Sequence, residues 1–226
     1  MKKTFSILNI ILFAVTCLLT VYYDIEGGLW LKGLTGSGFV LLGAVNLVYA
    51  MKSKQADLRY PIWTMLGLAI CLTGDIVLNI SFLPGVAIFA VGHICYVIAF
   101  CCKDKLCKAD VIPTVLLFLL ALAIIKLVPF LDFGSALVEN LCIVYGLVIS
   151  CMVGKTISNY LYHRNATNLV LLIGSCLFYF SDVMLVLCRF GDAPKITDTL
   201  CLFSYFPAQC LIAHAVYRFT NEEKRK

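Results

Sequence analysis

Hydrophobic positions in this chain run in long blocks rather than in alternation. A helix needs about 20 apolar residues to cross the hydrocarbon core of a bilayer. Eight blocks meet or approach that length: 5–23, 33–51, 61–82, 84–102, 111–131, 133–153, 169–188 and 199–217. Polar residues, Gly and Pro collect between them. Asp24, Glu26, Gly27 and Gly28 part the first two blocks, and Pro84 and Gly85 open the fourth, which predicts a tight hairpin with the third. Lys126, Asp132 and Glu139 interrupt the fifth and sixth. The first block has a basic start, Lys2 and Lys3, as a secretory signal does. Its apolar run is longer than a typical signal core and seven more blocks follow, so it reads as an uncleaved anchor. The pattern predicts an all-α, polytopic membrane protein of eight transmembrane helices, with residues 1–226 forming a single integral membrane domain.

Composition excludes the soluble alternatives. Of 226 residues, 62% are hydrophobic and 14% are charged, against about 25% charged in soluble domains. Mean hydropathy is +0.95. Fourteen of the 18 Lys and Arg fall on one side of the predicted membrane; only Lys32, Lys126, Arg189 and Lys195 fall on the other. Cytoplasmic loops carry the excess of Lys and Arg, so both termini are expected in the cytoplasm. The net charge of +5 is then a topology signal, and no nucleic-acid partner is needed to explain it. Nine of the 12 Cys lie within apolar runs, where Cys behaves as a small hydrophobe. Cys101, Cys102 and Cys107 cluster without CxxC spacing or a fourth ligand, so thiols rather than disulfides or a zinc site are expected.

An ionisable group deep in lipid is expensive and marks a functional site by default. At 1.5 Å per residue, Asp75 in the third span and Asp182 in the seventh each lie about 5 Å outside the midplane. His93 is at the middle of the fourth span, Tyr145 near the middle of the sixth, and Tyr205 and Gln209 near that of the eighth. Asn79 follows Asp75 by one turn, and Tyr96 follows His93 by three residues, spacings that share a helix face. Each alone has a packing explanation, because buried polar side chains bond to neighbouring helices. Together they form a layer from the midplane outward. Glu139 and Lys126 are expected to pair at the rim. Lys32, at the outer mouth of the second span, is expected to snorkel or to meet a phosphate headgroup. Gly33, Gly36, Gly38 and Gly43 predict a close-packing face. Pro207 is expected to kink the eighth span, and Tyr22, Tyr23, Trp30, Tyr49, Tyr60 and Trp63 to anchor span ends at the interface. Thr73-Gly74-Asp75-Ile76-Val77-Leu78 echoes Phe180-Ser181-Asp182-Val183-Met184-Leu185. That echo is compatible with a parallel 4+4 repeat, although chance similarity between apolar helices also supplies six such residues.

At these residues the chain resembles the YhhN-like, or lysoplasmalogenase, integral membrane proteins. The resemblance runs through Gly74-Asp75 and its short hairpin, Gly92-His93 with Tyr96 and Phe100, and Tyr145 with Met152. It continues through Gly174 to Asp182 with Arg189-Phe190, then Tyr205, Ala208-Gln209 and Leu211-Ile212-Ala213. Lys32 matches a basic residue of the family's second helix, where Gly33 replaces the usual Pro. The resemblance implies an eight-helix enzyme that hydrolyses the vinyl ether bond of lysoplasmalogens to a fatty aldehyde and a glycerophospho-ethanolamine or -choline. Asp75 and Asp182 would be its acid and base, in either order, with His93 orienting water or stabilising the ionised partner. Tyr145, Tyr205, Tyr96, Asn79 and Gln209 would hold ether and glycerol oxygens, and Lys32 the phosphate. Two carboxyl groups suit the oxocarbenium ion that vinyl ether protonation creates, as they do in glycosidases. No metal or other cofactor and no obligate protein partner is expected; the partners are a lysophospholipid substrate and the bilayer. The alternative is a proton-coupled transporter of a small solute or lipid using the same buried Asp pair. Short loops and the absence of sorting tails suggest a bacterial inner (cytoplasmic) membrane, and an endoplasmic reticulum membrane fits the same topology.

Overall fold

A computed structural model describes residues 2–191 and 193–224; Arg225 and Lys226 of the basic tail lie outside them. Eight long helices follow one another: α1 (Lys2–Glu26), α2 (Leu29–Lys52), α3 (Arg59–Leu78), α4 (Phe82–Lys103), α5 (Val111–Leu127), α6 (Ala136–Tyr162), α7 (Ala166–Phe190) and α8 (Lys195–Glu223). All eight are long and apolar enough to cross a membrane, α5 together with the 3-10 turn Lys108–Asp110 before it. The protein is therefore a multi-pass integral membrane protein.

The expected blocks and the helices share their centres and differ at their ends. α5 stops at Leu127, before Pro129, and not at 131. α6 starts at Ala136, capped by the Ser135 hydroxyl, which accepts from Val138 N at 3.3 Å. It continues to Tyr162, well beyond the expected 153. Lys155 is therefore no loop residue. It is buried in α6, where its Nζ donates to Lys105 O at 2.7 Å and lies 3.1 Å from Asp110 Oδ2. A hydropathy block ends at the first charge; a helix continues wherever that charge finds a buried partner.

Both termini lie at one end of the bundle, because Tyr217 Oη donates to Lys2 O at 3.2 Å. At the other end Thr199 Oγ1 donates to Asp24 Oδ1 at 3.1 Å, joining α8 to α1. The most extensive packing is α3 on α4 and α7 on α8. The α3–α4 hairpin closes at Gly85, where an added Cβ would come within 2.5 Å of the Leu78 backbone. The small-residue face of α2 behaves as expected: Gly36 and Gly43 lie against α3 through Leu72 and Leu68, and Gly38 against Thr16 of α1. Not all the aromatic anchors do. Trp30 and Tyr22 are exposed, whereas Tyr49 and Tyr60 are core residues. Tyr49 Oη donates to Asn221 Oδ1 at 2.9 Å, holding α2 to α8. Pro207 lies inside the unbroken run of α8.

A polar node fastens the termini end of the core. Asn9 Nδ2 donates to Asn46 Oδ1 at 2.7 Å, and Asn46 Nδ2 donates to Ala213 O at 2.9 Å. His214 Nδ1 lies 2.8 Å from Asn9 Oδ1. Buried amides that satisfy one another in this way fix the mutual register of α1, α2 and α8.

Candidate functional site

At the end opposite the termini, α1, α2, α3, α4, α7 and α8 surround a cavity of about 500 Å³. Asp75 of α3 and Asp182 of α7 both line it, as do Lys32, Asn79 and Tyr205. Equal depth in two helices of the same direction thus translates into one shared wall.

The two carboxyl groups are held differently. Lys32 Nζ lies 2.7 Å from Asp75 Oδ1, and both side chains are nearly sealed from solvent. Lys32 is therefore paired within the bundle rather than snorkelling to the interface. A buried charge needs such a partner, because an isolated one in a low-dielectric interior costs many kcal/mol. The second oxygen of Asp75, Oδ2, has no hydrogen-bond partner. Among the described residues no cation forms an ion pair with Asp182. Its Oδ2 accepts from the Tyr145 hydroxyl at 2.6 Å. Asn79, the C-cap of α3, turns back, and its Nδ2 donates to Asp75 O at 2.7 Å.

The other polar residues form a tier off the cavity wall. His93 is fully buried, and its Nδ1–H donates to the Phe89 carbonyl at 2.8 Å. A carbonyl can only accept, so the neutral ring presents a bare Nε2, and that nitrogen has no partner. Its ring packs edge-on against Tyr145 and Phe178, with centroids 5.3 and 4.6 Å away. Tyr96 Oη donates to Gln209 Oε1 at 2.5 Å. Gln209 Nε2 and Tyr205 Oη are buried without partners. Tyr205 helps to join the tiers: it lines the cavity, and its ring meets Phe39, Phe89 and Phe178. Of the nine residues expected at the site, Lys32, Asp75, Asn79, Asp182 and Tyr205 line this cavity. His93, Tyr96, Tyr145 and Gln209 stand behind it.

The cavity also contains residues that sequence reasoning passed over. Arg189, Lys195, Asp198, Tyr23 and Ser181 line it. Arg189 lies 5.7 Å from the Phe82 ring centroid. A signal for two of them was present: Arg189 and Lys195 are half of the four basic residues on the charge-poor side of the chain. Among the described residues, three cationic and three acidic side chains line the cavity. The rim pair expected from Lys126 and Glu139 is present at 2.6 Å, on the surface and apart from the site.

Comparison with known proteins gives one match. The sequence model of the YhhN family covers residues 35–216, a stretch that holds both carboxyl groups and every other residue discussed here except Tyr23 and Lys32 among those lining the site. No curated protein and no solved structure matches the chain.

Proposed function

The chain belongs to the YhhN family, and on that premise we propose that it is an intramembrane hydrolase of the vinyl ether bond of lysoplasmalogens. The products are a fatty aldehyde and glycerophospho-ethanolamine or -choline. One observation carries this reading: two carboxyl groups from different helices line a single cavity, one beside an ammonium and the other beside a phenol.

That asymmetry supports separate roles. An opposite charge at hydrogen-bond distance favours the ionised form of a carboxyl group, and an apolar surrounding without a cation favours the neutral form. Asp75 is then the base and Asp182 the acid. Asp182 delivers its proton to the β-carbon of the vinyl ether, forming a C–H bond and leaving an oxocarbenium ion. Water attacks the cationic carbon and loses a proton to Asp75. The resulting hemiacetal breaks its bond to the glycerol oxygen, which takes the proton from Asp75. The hemiacetal hydroxyl returns a proton to Asp182 as the aldehyde forms. One water is consumed and both carboxyl groups end as they began. Tyr145 positions Asp182 through its hydroxyl, and His93 buttresses the Tyr145 ring. Arg189 and Lys195 take the headgroup phosphate, as Lys32 is occupied by Asp75. The charge asymmetry of the loops supports a cavity opening away from the cytoplasm; a bacterial inner membrane suits the short loops.

The test uses detergent-solubilised protein with lysoplasmenyl-ethanolamine and its 1-acyl and 1-alkyl analogues, read by mass spectrometry. Aldehyde is expected from the vinyl ether alone. It falls at least about 100-fold in folded Asp182→Asn and Asp75→Asn, the scale of acid–base catalysis. No aldehyde from folded wild-type protein would overturn the proposal and direct attention to proton-driven uptake in liposomes.

A further inference from the structure

Asp182 stands where three spaces meet. The first is the polar cavity. The second is an apolar groove between α4, α6 and α7, walled by Val86, Cys142 and Leu185. The third lies between α5, α6 and α7, walled by Ala121, Ile125 and Gly146. The two grooves, of about 50 and 40 Å³, share Cys142, Tyr145, Asp182 and Val186 as wall residues and make up a narrow slot in two parts. Its polar side chains are Asp182, Tyr145 and Tyr179. The Tyr179 hydroxyl is already used, donating to Leu117 O at 2.7 Å.

The packing explains why the slot opens sideways. α5 lies along α6, and that Tyr179 bond is its hydrogen bond to α7. The outward face of α5 presents Val115, Leu116, Leu119 and Leu120 to the surroundings. Among its described residues only Ile125 is buried. At the other end Phe82 and Phe190 meet edge to face with centroids 5.0 Å apart, closing the slot towards the cavity mouth.

We infer that this slot holds the single hydrocarbon chain of the substrate, which enters from the bilayer between α5 and α7, and that Ala121 and Gly146 limit the chain length accepted. The inference rests on the hydrolase reading for its substrate class. A polar chamber and an apolar slot that join at an acid match an amphiphile whose reactive bond lies between head and chain. The headgroup lies among the charges of the cavity, the chain runs past Val186 towards α5, and the bond at their junction comes to Asp182. Ala121 and Gly146 both line the groove, and an added Cβ at Gly146 would already touch Ala121 Cβ at 3.4 Å, so a larger side chain at either position takes up space there.

The experiment uses a 1-alkyl lysophospholipid carrying a photoreactive diazirine at its chain end. This ether has no double bond and is not a substrate, so labelling is read without turnover. Wild-type protein in detergent is irradiated with and without excess unlabelled 1-alkyl lysophospholipid, and adducts are mapped by peptide mass spectrometry. Competed adducts at Ala121–Ile125 and Val183–Val186 are expected. Competed adducts confined to the cavity mouth, or no competed adduct in these two segments, would overturn the inference. In parallel, Ala121→Phe and Gly146→Leu are expected to slow cleavage of a long-chain vinyl ether at least about tenfold relative to a short-chain one, the scale of a filled apolar pocket. Folded variants with unchanged chain preference would overturn the slot while leaving the hydrolase standing. Slot adducts on a protein that cleaves nothing would keep the slot and remove the reaction. If the variants do not fold, the wild-type adducts decide.

Discussion

Replacing Lys32 by Met removes an ammonium and keeps the apolar stem. At 2.7 Å and an effective dielectric of about 20, the attraction between Lys32 and Asp75 is about 6 kcal/mol. Taking both ions out of water costs several kcal/mol each, so the intact pair adds little net stability. Removing one partner is different, because it strands the other ion. The expected loss is about 3–5 kcal/mol. For a chain of this size each kcal/mol moves Tm by about 2–4 °C, so Lys32→Met melts on the order of 10 °C below wild type. Asp75→Asn alone behaves similarly by stranding Lys32. The double variant Lys32→Met/Asp75→Asn strands nothing and is expected within a few degrees of wild type. The coupling in this cycle, the double loss minus the two single losses, is then about 6–10 kcal/mol, above the ~0.5–3 kcal/mol usual for residues in contact because each single variant strands a buried ion. Scanning fluorimetry of the four purified proteins in one detergent gives the cycle directly, without reference to activity. Single variants that melt with wild type, or a double variant whose loss is the sum of the two, would refute the buried pair.

Other consequences follow from the same geometry. Tyr145→Phe takes one hydrogen bond from Asp182, and a bond to a carboxyl group is worth about 1.5–3 kcal/mol; kcat is expected to fall about tenfold or more with KM little changed. Arg189→Ala and Lys195→Ala act on the headgroup, so KM rises while kcat holds, and the effect shrinks for a substrate without phosphate. Asn46→Ala leaves Asn9 and the Ala213 carbonyl without their partner; a loss of about 1–3 kcal/mol in Tm measurements is expected, with the cleavage rate of the folded fraction unchanged.

Sequence and structure agree on the spans and part over partners. A block of apolar residues registers a membrane span, so all eight helices were legible, as was the pair Asp75 and Asp182, which line one cavity. Height does not fix which way a side chain faces around its helix. His93 and Gln209 stand behind the cavity, and Arg189 lines it from the end of α7. Nor does local pattern reveal a long-range partner. Lys32 looked like a snorkelling cation because its partner lies on another helix, and Lys155 looked like a loop residue because Asp110 is supplied by a different segment. Tyr49 and Tyr60 occupy the ends of spans as anchors do, but there the neighbouring α8 covers them. The choice between acid and base is open in the sequence; the proposed assignment draws on the ammonium beside Asp75 and the phenol beside Asp182.

The most direct measurement is isotopic. Wild-type protein is incubated with lysoplasmenyl-ethanolamine in deuterated, oxygen-18-enriched water, and the aldehyde is trapped by borohydride reduction. Protonation at carbon predicts one deuterium on the carbon next to the former aldehyde carbon. Attack by water at the cationic carbon predicts no oxygen-18 in the glycerophospho-ethanolamine. Deuterium on that carbon together with an oxygen-18-free glycerol product would support carboxyl-driven hydrolysis of the vinyl ether. Oxygen-18 in the glycerol product, an aldehyde without deuterium, or no aldehyde at all would contradict it.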